Sequence, residues 1–95
     1  MMSPQLYEGR VDEACLHQLV DDWVACAQIL EVRCKRMAAG YADAPTDLAD
    51  AVAALCRGQC RAVQVRYAWD GAVWCDTILA VPDGDFRLVR VEAGG

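Results

Sequence analysis

Residues 67–91, YAWDGAVWCDTILAVPDGDFRLVRV, place two Asp-Gly pairs between runs of alternating and β-branched side chains. Asp-Gly between such runs is the strongest short-range sign of a β-hairpin. Two such corners in succession predict three antiparallel strands joined as a meander. The first strand starts upstream, in RAVQVRYAW, where Val63, Val65 and Tyr67 share one face and Gln64 and Arg66 the other.

The first corner admits two registers. A two-residue loop at Asp70-Gly71 sets Tyr67 opposite Trp74 and Val65 opposite Asp76. A three-residue loop, with Gly71 left-handed after a type I turn, sets Tyr67 opposite Val73 and Val65 opposite Cys75. A one-residue slip exchanges the two faces, so the choice decides what is buried. The three-residue loop gathers Val63, Val65, Tyr67, Val73, Cys75, Leu79 and Val81 on one face, with Thr77 as the polar exception. Pro82 suits the first central position of a type I turn at the second corner, which brings Val89 and Val91 to the same face. This is the face expected beneath helices.

The reverse face then carries Trp74, Ile78, Phe86 and Leu88 among Gln64, Arg66, Asp76, Arg90 and Glu92. Asp76 falls opposite Arg90, and Arg66 opposite Trp74, both favourable cross-strand pairs. An apolar cluster ringed by charge on an open sheet face is an association surface. Trp74, Ile78, Phe86 and Leu88 are therefore expected to form a contact core, with Arg66, Asp76 and Arg90 fixing its register. One helix on each face would instead leave no interface.

Residues 1–10 show no clear period and read as a partly ordered tail. Asp12 has the place of a helix N-cap, Val11 and Leu16 the spacing of a hydrophobic staple, and Glu13 suits the helix dipole. Cys15, Leu19, Trp23, Cys26, Leu30 and Met37 recur on one stripe, which predicts a helix over 12–39 ended by Gly40, with room for a break near Cys34. After the connector YADAP, Leu48, Val52 and Leu55 mark a second helix over 46–57, capped by Thr46 or Asp47 and ended by Gly58. A short connector favours an antiparallel helical hairpin. The expected fold is α+β in the order α-α-β-β-β. A helical hairpin packs on one face of a three-stranded antiparallel meander (61–92), all in one domain of 95 residues.

Composition narrows function by exclusion. The net charge of -5 disfavours a general nucleic-acid binder, and Arg57, Arg61 and Arg66 read as a solvated edge. No apolar run reaches the roughly 18 residues of a membrane span. With no export signal in MMSPQLYEGR, a cytoplasmic location with reduced thiols is expected. The six cysteines then act mainly as small hydrophobes. Cys56 and Cys60, in CRGQC, are the rival reading, a thiol or soft-metal pair with His17 as a third ligand. No cofactor, metal or small-molecule ligand is otherwise implied.

Catalytic constellations are missing from the pattern. His17 is the single histidine, Ser3 the single serine, and Asp21 and Asp22 are adjacent and so diverge on a helix. Trp23 belongs to the buried stripe, while Trp69 stands at the hairpin tip. The expectation is a non-enzymatic protein-binding or regulatory protein, either a homodimer or docked on another protein.

Overall fold

The computed structural model describes residues 6–36, 41–42, 47–82 and 84–94. Its elements are β1 (Leu6–Val11), α1 (Glu13–Cys26), β2 (Gln28–Arg36), β3 (Tyr41–Ala42), α2 (Leu48–Cys56), β4 (Cys60–Trp69), β5 (Ala72–Ala80) and β6 (Phe86–Gly94). Five long strands and the two-residue β3 form one antiparallel sheet in the order β1-β6-β5-β4-β2-β3. Both helices pack on one face of it, because the apolar residues of α1 and α2 join a single core with those of β2, β4, β5 and β6.

The helices begin where the sequence provides caps. Asp12 accepts from the Cys15 N–H at 2.8 Å, and Asp47 accepts from the N–H groups of Ala49 and Asp50. Leu16 and Trp23 on α1, and Leu48, Ala51, Val52 and Leu55 on α2, form the buried faces. Thr46, Gly40 and most of the YADAP connector lie outside the described residues.

The three-stranded meander with a helical hairpin is overturned on three counts. First, the segment read as a tail supplies β1, which pairs with β6 from Leu6 opposite Val91 to Val11 opposite Phe86. Second, the expected helix over 12–39 ends at Cys26, and Gln28–Arg36 forms β2 against β4. The helical stripe had run on through Leu30, but Leu30 sits at a register shift between Ile29 and Glu31 and is 48% exposed. The β-branched Ile29 and Val32 turn to the core instead, so two helices expected to be adjacent in the chain are separated by β2 and β3. Third, the first corner is the two-residue loop. Asp70 and Gly71 both have positive φ, at 52° and 81°, as a type I′ turn requires.

That loop sets Tyr67 opposite Trp74, Val65 opposite Asp76 and Val63 opposite Ile78. The second corner does hold a three-residue loop, since Val81 donates to the Asp85 carbonyl at 3.0 Å. Gly84, at φ 93°, occupies its left-handed position. Only one corner is shifted, yet that one residue turns β5 and β6 over relative to β4. The helix-covered face therefore holds Val63, Val65, Tyr67, Trp74, Asp76, Ile78, Phe86, Leu88 and Arg90.

Candidate functional site

Directly opposed residues of an antiparallel pair share a face, so the register defines what the uncovered side of the sheet presents. Its centre is Val73, Cys75, Thr77 and Leu79 of β5 with Val89 and Val91 of β6, all partly buried except the exposed Val91. Arg66, Gln64 and Ala62 of β4 lie beside them, followed by Glu31, Arg33 and Lys35 of β2. Glu8 and Arg10 of β1 border the other side, opposite Val89 and Arg87. A shallow groove of about 450 Å³ crosses the β2–β4–β5 part, lined by Arg33, Lys35, Arg61, Gln64, Thr77 and Leu79.

Charge is segregated between the layers. Arg10, Arg33, Lys35, Arg66 and Arg87 lie on the uncovered face, and Arg61 lines its groove. The two helices and their N-caps carry Asp12, Glu13, Asp21, Asp22, Asp47 and Asp50 and no lysine or arginine. Several rim cations are already matched within the chain. Arg87 pairs with Glu8, Arg33 with Glu31 at 2.7 Å, and Arg10 with Asp85 at 3.4 Å.

Beneath the helices lies a polar cluster. Asp76 is 0% exposed. Arg90 reaches it from the neighbouring strand, Nε donating to Oδ1 at 3.0 Å and Nη2 to Oδ2 at 2.9 Å. The Tyr67 hydroxyl donates to the same carboxylate at 3.0 to 3.1 Å. A fork-shaped pair with an added hydroxyl gives the buried carboxylate the partners that its desolvation demands. The Trp23 ring packs tilted on Tyr67, centroids 6.1 Å apart. A cavity of about 330 Å³ opens between α1 and the hairpin tip, with Trp23, Tyr67, Trp69 and Arg90 in its wall. Trp69, 50% exposed, forms the lip. Because Asp76 neutralises Arg90, this cavity offers aromatic surface and no anion trap.

Burial, the nearby Asp76 charge and the hydrogen bond to it together push the Tyr67 phenol up to about 12. The folded chain therefore holds the phenol neutral through a range in which the unfolded chain ionises, near pH 10. This contribution is complete below pH 10 and is lost as pH rises toward 12. Stability is expected to fall by up to about 1.4 kcal/mol per pH unit in that window from this group. Urea midpoints measured from pH 9 to 12 check this, and Tyr67→Phe should flatten the slope.

Of the residues expected to form a contact core, most lie beneath the helices. Ile78, Phe86 and Leu88 are core residues under the helices, and Trp74 is partly buried against them. Asp76 and Arg90 are opposite one another, as the second corner implied, but on the covered face. Arg66 alone of the seven lies on the uncovered face, opposite Cys75 and not Trp74. Val73, Leu79, Val89 and Val91 take the exposed place that the sequence reading gave to the core set. The signal for this was Asp70-Gly71 directly after Trp69, with no proline to start a type I turn as Pro82 does at the second corner, which favours the two-residue type I′ loop.

None of the six cysteines is in a disulfide. Cys60 is buried with its Sγ 3.9 Å from the Ala51 carbonyl, so the thiol of the rival pair points into the core. Cys56, partly buried at the end of α2, meets Glu13 and His17 of α1 instead. Oxygen, nitrogen and sulfur ligand atoms of these three lie within 4.8 Å of one another. Asp21 and Asp22 are both exposed. No helix among the described residues is long and apolar enough to cross a membrane. No family model, curated protein or solved structure matches the chain.

Proposed function

We propose that the protein is a non-enzymatic binding protein that associates with a second copy of itself through the uncovered sheet face. The observation that carries this reading is the apolar strip of partly buried Val73, Cys75, Leu79 and Val89 with exposed Val91, bordered by charged residues and left bare by both helices. Apolar centre and polar rim are the usual anatomy of a protein interface.

Size and charge support a second copy as the occupant. Five strands about 4.8 Å apart and roughly seven residues deep at ~3.3 Å each span a flat area of about 550 Å². Two copies back to back would bury upwards of about 1,100 Å², close to where stable interfaces begin. Sheets packed face to face interdigitate side chains across about 10 Å, the arrangement of a β-sandwich. Like-charge repulsion at the rim is moderated because Arg10, Arg33 and Arg87 each face a carboxylate of their own chain. Association driven by the apolar centre should persist in high salt.

Light scattering coupled to size exclusion tests this directly. Wild type is expected at twice the chain mass, and Leu79→Glu at the monomer mass with an unchanged circular dichroism spectrum. A wild-type monomer across the concentration range would overturn the proposal. Salt-sensitive assembly that survives Leu79→Glu would also overturn it, pointing to contact between the basic face and the acidic helices.

A further inference from the structure

We propose that Glu13, His17 and Cys56 form a binding site for a borderline divalent cation of the zinc class, at the end of the helical layer away from the sheet face. The site is independent of the self-association reading.

The geometry builds it from two helices. Glu13 and His17 are one turn apart on α1, so their side chains lie on the same side of the helix. The Glu13 Oε2 and His17 Nε2 are 3.5 Å apart. Cys56 comes from the last residue of α2, and the three ligand atoms fall within 4.8 Å of one another. Zinc holds sulfur at about 2.3 Å, nitrogen at about 2.0 Å and carboxylate oxygen at about 2.1 Å. Tetrahedral neighbours at those lengths sit roughly 3.3–3.7 Å apart. The required contraction is about an ångström, within the reach of rotamer changes at exposed Glu13 and His17.

The donor set selects the ion. One thiolate, one imidazole and one carboxylate match zinc and its spectroscopic substitute cobalt(II). Calcium and magnesium, which take all-oxygen shells, are excluded by the same set. Three protein ligands leave a fourth position for water, the composition of an open zinc site. Binding replaces the Cys56 thiol proton with the metal, and that proton goes to solvent, one per ion bound. The ion would also clamp the first turn of α1 to the last turn of α2.

Cobalt(II) titration with the thiols kept reduced by a phosphine provides the test. Wild type is expected to bind one equivalent, with thiolate-to-cobalt charge-transfer absorption and the intense visible bands of tetrahedral cobalt. Cys56→Ser should abolish the charge-transfer band. His17→Asn, at an exposed helix position, should weaken binding at least ~10-fold. Cys15→Ser and Cys26→Ser should leave the titration unchanged. Zinc should raise the thermal midpoint of wild type and not of His17→Asn. No band in wild type, a band that survives Cys56→Ser, or equal affinity in His17→Asn would each overturn the site.

Discussion

Replacing Arg90 by methionine is expected to destabilise the protein by about 3–5 kcal/mol, measured as the change in urea unfolding free energy. The reason is what remains behind. Asp76 is 0% exposed, and among the described residues Arg90 is its only charged partner, with two nitrogens on its two oxygens. Without the guanidinium, a buried carboxylate keeps the Tyr67 hydroxyl alone. A domain of this size holds roughly 5–15 kcal/mol in total, so the variant should be near the edge of folding. The pair itself is worth less than its breakage costs. The double variant Asp76→Leu with Arg90→Met should recover most of the loss, since apolar residues of similar volume can replace a buried ion pair. Equal destabilisation in single and double variants would show that packing, not charge, holds the three strands at this point.

Ile78→Ala and Leu79→Ala are neighbours in the chain with opposite expected outcomes. Ile78 is 0% exposed and sits among Val63, Leu88 and the helices. Its truncation should cost about 2–5 kcal/mol through lost burial and a residual cavity. Leu79 projects to the uncovered face, and its truncation in the monomer should cost under about 1 kcal/mol. Paired thermal melts decide between them. The reverse order would place Leu79 beneath the helices and restore the three-residue register at Asp70-Gly71.

The local punctuation of the fold was readable from the residues. Asp12, Asp47 and Gly58 bound the helices where the chain provides those groups, and Pro82 with Gly84 makes the second corner. What failed was the preference for the face with the fewest polar residues. Choosing the three-residue loop kept Asp76 out of the core, yet the molecule accepts Asp76 there because Arg90 and Tyr67 meet it. Periodicity counts apolar positions and has no means of crediting a satisfied ion pair. Gln28–Arg36 was missed for a different reason. Leu30 happens to fall on the continuation of the α1 stripe, and no glycine or proline marks the exit at Ala27, whereas pairing with β4 decides the outcome. Of the cluster Glu13, His17 and Cys56, the sequence named Cys56 and His17 as ligands but joined them to Cys60, and it gave Glu13 only a helix-dipole role; tertiary packing puts Glu13 in the place of Cys60.

The partnership of β1 with β6 has a consequence for how the chain reaches this state. Leu6 lies opposite Val91, so 85 positions separate residues that become neighbours (91 − 6). Closing a loop of that length costs about 4 kcal/mol more than closing none, before any contact repays it. The β4–β5 and β5–β6 turns close over a few residues and can zip early, and β2 joins across α2. During synthesis the LYEGRV segment leaves the ribosome long before its mate exists. The first of these strands to be made is thus the last to find its place, and until then one margin of the nascent sheet stands open to other chains.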